Sequence, residues 1–109
     1  MIQIKHTVTF PKPFALPSLG EDVVLSELLK VQTICREEAS KRGCIFFKDV
    51  VEADNSLVMN FIWFTKEESD TFIKWANETH DYENVYTKFV NRIQELGGTV
   101  VREETSLAD

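Results

Sequence analysis

The chain has 109 residues, 12 of them Lys or Arg and 18 Asp or Glu, for a formal net charge of −6. A hydrophobic share of 43% and an aromatic share of 11% predict one ordinary globular domain over residues 1–109, neither disordered nor stapled by disulfides. The acidic balance, with its cations scattered, weighs against nucleic acid, and no apolar run reaches the roughly 20 residues that span a bilayer.

Residues 2–10 alternate as a strand does. Ile2, Ile4, Val8 and Phe10 share one face with His6 among them, while Gln3, Lys5, Thr7 and Thr9 share the other. The pattern Ile2-Gln3-Ile4-Lys5 is not that of a secretion signal, so a soluble cytoplasmic protein is the expectation. Pro11-Lys12-Pro13 ends the strand, and the connection runs to Gly20. Its two large apolar residues, Phe14 and Leu16, are expected to fold down over something as a lid.

A helix is predicted from Glu21 to Arg42, with Ser18 and Glu21 at capping-box spacing and Gly43 as its stop. Val24, Leu28, Val31, Cys35 and Ala39 form its buried stripe. Cys35 and Cys44 are too few for a disulfide framework and lack zinc spacing, so both read as buried free thiols. Strands follow over Cys44–Ala53 and Ser56–Phe64, joined at Asp54-Asn55. Thr65 and Glu68 repeat the capping signature ahead of a second helical region whose inner face carries Phe72, Trp75, Ala76 and Thr79. The polar run 77–81 is expected to kink or interrupt it before Tyr82, Tyr86, Phe89, Ile93 and Leu96 resume the spacing. Gly97-Gly98 stops that helix, and Thr99 to Thr105 makes the last strand.

The third strand is apolar on both faces, with Leu57, Met59, Phe61 and Trp63 pointing one way and Val58, Asn60, Ile62 and Phe64 the other. The order β-α-β-β-α-β predicts an α+β, ferredoxin-like fold: an antiparallel four-stranded sheet of order 4-1-3-2 with both helices on one face. The bare face would then expose a large apolar patch, which predicts a homodimer joined sheet to sheet. Leu57, Met59, Phe61 and Trp63 are expected to meet the partner, with Asn60 and His6 turned toward the helices.

Two groups of residues could carry chemistry. A two- or four-residue turn at Asp54-Asn55 places Asp49 opposite Asn60, Phe47 opposite Ile62 and Val51 opposite Val58, whereas a three-residue turn flips the parity. A row His6–Asn60–Asp49 would set a carboxylate beside an imidazole, an arrangement suited to proton abstraction; the alternative is that all three are satisfied structural groups. The second group, His80, Asp81, Tyr82 and Tyr86, borders the helical break. His80 could serve a metal or haem there, or Asp81 could simply cap a new helical turn with His80 exposed. His80 has no second His or Cys at ligand spacing, so no metal and no cofactor is expected.

With this element order, a sheet-to-sheet dimer and Trp63-Phe64-Thr65 leading into a Glu- and aromatic-rich helix, the chain resembles the dimeric α+β barrel superfamily. Its antibiotic-biosynthesis monooxygenase-like branch is the nearest match, and many of its members have no assigned activity. The resemblance implies a pocket between sheet and helices. Cofactor-free oxygenases of the branch use an Asn and a Trp on the third strand, but Asn60 and Trp63 are three apart and fall on opposite faces. The haem-degrading branch uses an Asn, a Trp and a His where this chain offers His6, Trp63 and His80, so the Asn is replaced. The leading expectation is an apolar pocket for an elongated molecule such as a fatty acid, lidded by Phe14 and Leu16 and walled by Phe72, Trp75, Tyr82, Tyr86 and Phe89. The alternatives are an oxygenase or isomerase with His6 as base and Asn60 holding an oxyanion, and a structural or regulatory dimer with a filled core.

Overall fold

A computed structural model of the protein describes residues 1–10, 21–51 and 56–107, of which 49–51 are described by their backbone pairing alone. Phe14, Leu16 and Ser18 lie outside the described residues. The elements are β1 (Ile2–Thr9), α1 (Val23–Lys41), β2 (Ile45–Val51), β3 (Ser56–Trp63), α2 (Lys66–His80), α3 (Tyr82–Glu95) and β4 (Thr99–Ser106). The strands form one antiparallel sheet in the order β2-β3-β1-β4, which puts the most apolar strand, β3, at its centre beside β1.

The helix ends follow local chemistry. Asp22 caps α1, its carboxylate accepting from the Leu25 amide at 2.9 Å. Of the expected stripe, Cys35 and Ala39 are buried and Leu28 and Val31 pack against the core, but at its start Leu25 is fully buried while Val24 stays 47% exposed. Thr65 caps α2 by accepting from the Glu68 amide at 3.1 Å, and its hydroxyl donates to the Glu68 carboxylate. The second helical region is broken completely. Asp81 takes a left-handed conformation (φ 51°), ends α2 and starts α3. Asp81 does not cap α3 with its side chain; the Asn77 carboxamide oxygen accepts from the Glu83 amide instead, at 2.8 Å.

The pairing of β1 with β3 decides which side chains meet the helices. Ile2 lies opposite Trp63, Ile4 opposite Phe61, His6 opposite Met59 and Val8 opposite Leu57. Ile2, Ile4, Val8 and Trp63 are buried among residues of the helices. The Leu57-Met59-Phe61-Trp63 face therefore packs inside the subunit, not against a partner. This corrects the expected facing, and the reason is parity: a pairing one residue out would have inverted it. Asn60 lies opposite Lys5 on one side and Phe47 on the other, on the open face and turned away from His6.

The core has two parts. Toward one end of the sheet Ile2, Ile4, Cys35, Ala39, Cys44, Trp63, Phe72 and Ala76 pack together. Toward the other Val8, Phe10, Leu25, Phe89 and Ile93 do so. Cys35 and Cys44 are buried free thiols, as read from the sequence. Arg92 of α3 ties to Asp22 at the start of α1, its Nε donating to both carboxylate oxygens at 3.2 Å. That hydrogen bond, joined by the Leu25 amide, holds the Asp22 carboxyl below the usual carboxylate range.

Gly98 joins α3 to β4 where no side chain fits. A Cβ there would stand 2.7 Å from the ring of Phe10 and 2.9 Å from Ile93, both of which are buried and cannot retreat. Gly98→Ala is expected to destabilise the fold by about 1–3 kcal/mol, the usual cost of overpacking, read as a lower urea midpoint at unchanged slope.

Candidate functional site

His6 sits at the seam between the two parts of the core, since its β1 neighbours on the same face are Ile4 in one cluster and Val8 in the other. Two adjoining cavities open there between sheet and helices. The first, about 170 Å³, lies on the β2–β3 side and runs from Arg36, Phe46 and Lys48 past Met59 and Phe61 to His6. The second, about 310 Å³, lies on the β1–β4 side among Ile4, Trp63, Ser69, Ile73, Asn77, Glu83 and Arg102. His6, Phe61, Phe72, Tyr82 and Tyr86 line both, so the two are lobes around one aromatic cluster. A lone 150 Å³ apolar cavity suffices for benzene, and ligand pockets commonly begin near 300 Å³, so both lobes are of binding size.

The polar groups of the cluster are few and neutral. His6 Nδ1 is 3.3 Å from the Tyr86 hydroxyl, and the imidazole ring meets Phe61 edge-on with 5.9 Å between centroids. Burial, and next the charge of Arg102, push the His6 pKa down from 6.5 to about 4. Arg102 lies directly opposite His6 in the β1–β4 ladder. Burial pushes the Tyr82 hydroxyl up to about 12 and raises that of Tyr86 as well. At neutral pH the cluster thus offers a neutral imidazole and two neutral phenols as hydrogen-bonding groups in an apolar wall. A general base works best with a pKa near the ambient pH, and His6 lies well below it.

Of the expected pocket walls, Phe72, Tyr82, Tyr86 and Phe89 line the cavities. Trp75 does not. It stacks on Phe72 on one side, with the Arg42 guanidinium 5.3 Å over its ring and His80 edge-on at 5.4 Å, so it packs at the periphery. Spaced i, i+3, the two rings are neighbours on one helix face, and Trp75 extends the cluster outward instead of lining a cavity. The row His6–Asn60–Asp49 is not assembled. β2 pairs with β3 so that Asp49 is opposite Val58 and Phe47 is opposite Asn60, one pair further along than expected, because the connecting segment is 52–55. The parity expected for β2 and β3 holds, but Asn60 belongs to the other face, where its carboxamide oxygen accepts from Gln3 Nε2 at 2.7 Å. Asn60 and His6 therefore cannot act on one substrate. Trp63 and Asn60 do lie on opposite faces, as the alternation predicts. His80 is half-buried against Trp75, and among the described residues no group of three His, Cys, Asp or Glu could hold a metal ion.

Several lining residues were not anticipated. Leu25, Leu29, Gln32 and Arg36 follow one another at helical spacing along α1, so a stripe set one residue later would have found them. Arg102 and Lys48 carry no local signal; only the register places one beside His6 and the other at the mouth of the first lobe. No family model matches the chain, and no curated protein matches it.

Because His6 binds its proton more weakly folded than unfolded, it favours the native state fully above pH 6.5. That contribution disappears as the pH falls from 6.5 toward 4. It amounts to roughly 3 kcal/mol at about 1.4 kcal/mol per pKa unit. The urea midpoint is expected to drop over this window, and a His6→Gln variant to show a flatter profile. Imidazole resonances followed by NMR should keep His6 neutral at pH 6; a midpoint near 6.5 would contradict the burial argument.

Proposed function

We propose that this protein is a small soluble binding protein of the dimeric α+β barrel superfamily, ferredoxin-like in fold and without an assigned activity. It takes an elongated, mainly apolar molecule between its sheet and its helices. One observation carries the reading: two lobes with aromatic walls meet at a buried, neutral His6–Tyr86 pair in the middle of the core. A few oriented polar groups in an otherwise apolar cavity are what ligand sites generally need. The sheet order and the packing of all three helices on one face support the family assignment. The weakly basic His6 and the separation of Asn60 from it favour binding over proton abstraction.

The homodimer belongs to the same reading, through the face opposite to the one expected. On the open face Ile45, Phe47 and Val101 are 49%, 40% and 50% exposed, and Val58 and Ile62 between them are half-buried. An exposed apolar patch of Ile45, Phe47 and Ile62, beside Asn60, is costly in water and can be covered by its own copy in an isologous contact. The cytoplasm is the compartment that fits two free thiols.

The cavity is tested with uncharged ligands. Nile red should gain fluorescence on mixing with the protein, octanol should displace it, and a Met59→Trp variant that fills the first lobe should bind neither. Failure of both probes at saturating concentration would sink the binding reading. Sedimentation velocity at micromolar concentration tests the assembly. Wild type should sediment as a dimer and the Ile45→Lys, Phe47→Lys double variant as a folded monomer, since both side chains stand in solvent within one subunit.

A further inference from the structure

The first lobe is charged at one end only. Arg36 of α1 and Lys48 of β2 both line it, and among the described residues no Asp or Glu does. The chain as a whole carries a net charge of −6, so an opening bordered by two cations and, among the described residues, no acid runs against the composition. Among the described residues neither Arg36 nor Lys48 has a carboxylate within ion-pair distance. The second lobe differs, with both Glu83 and Arg102 in its wall and Arg102 3.8 Å from Glu104.

The two cations are placed by the fold. Phe46 and Lys48 are alternate residues of an edge strand and share a face, roughly 7 Å apart. The Arg36 guanidinium lies 5.0 Å over the Phe46 ring, which fixes its plane while leaving its N–H edge available. Phe46 in turn contacts Phe61, with 4.8 Å between ring centroids, and Phe61 contacts His6. The lobe thus has a direction. It starts at cations on the β2 edge and crosses two strand spacings, about 10 Å, to the aromatic cluster at β1.

We infer that the ligand is an anionic amphiphile whose acidic head is held by Arg36 and Lys48 at the β2 edge and whose apolar body points across the sheet toward His6. This rests on the cavity reading above and specifies its ligand class. A carboxylate accepts two parallel N–H bonds from Arg36 while Lys48 adds a second positive charge. The head stays at the surface, so its full desolvation is avoided. The neutral His6–Tyr86 pair then meets only the far end of the body.

The test uses three probes with one eight-carbon chain: octanoate, octanol and octylammonium, titrated calorimetrically at pH 8 in low salt. Octanoate should bind about tenfold more tightly than octanol, the scale of a charge-assisted hydrogen bond, and octylammonium more weakly than either. Lys48→Glu and Arg36→Gln should each remove that preference, and Arg102→Gln, in the wall of the other lobe, should keep it. Lys48 is exposed, so its variant should keep the wild-type thermal midpoint. Equal binding of octanoate and octanol overturns the head-group assignment but leaves the cavity reading standing. A preference that survives in Lys48→Glu and Arg36→Gln but falls in Arg102→Gln also overturns it. If none of the three probes binds, both readings fail.

Discussion

The antiparallel pairing of β1 with β3, from Ile2 opposite Trp63 to Thr9 opposite Ser56, is the constraint on which the rest of the structure depends. Side chains alternate along a strand, so this register assigns every residue of both central strands to one face at once. It stacks the apolar side of β1 beside Leu57, Met59, Phe61 and Trp63, and the helices cover that surface. It leaves Asn60, Lys5 and Gln3 to the open face, where Gln3 satisfies the buried Asn60 carboxamide. It also sets His6 beside Met59 in the middle of the covered face.

The consequence for the interior is a core in two parts with a polar group at the seam. Apolar packing on either side of His6 is dense enough to bury it, and burial is what keeps its imidazole neutral. Filling the seam with a hydrophobe would make a continuous core, and it would close the lobes as well. The Asp22–Arg92 pair and the Asp81 break serve the same arrangement from the helical side. One joins the start of α1 to α3; the other turns the chain so that Phe72 of α2 and Tyr82 and Tyr86 of α3 converge on one cluster.

The two faces of β3 thus have different fates, although its sequence is apolar on both. One face is buried by the helices of its own chain. The other carries the buried Asn60 and lies beside the exposed Ile45 and Phe47 of β2. That division explains how a strand so hydrophobic can sit at the centre of a sheet with helices on one side.

By itself the sequence determined the α+β class, the four strands and the interrupted second helical region. It also marked Phe72, Tyr82, Tyr86 and Phe89 as members of one wall. Each of these is a local matter of periodicity, capping and turn residues, legible within about ten positions. Thr65 caps its helix because an acceptor is needed there whatever the rest of the chain does. Only the tertiary structure decided the register, and with it the facing of β3, the separation of Asn60 from His6 and the approach of Arg102 to the imidazole. Pairings such as His6 with Met59 and with Arg102 join residues far apart in the chain, and a slip of one residue reverses every face without changing any local pattern. Composition could supply two aromatic-rich helices and a histidine; the strand register made them the walls and centre of one cavity.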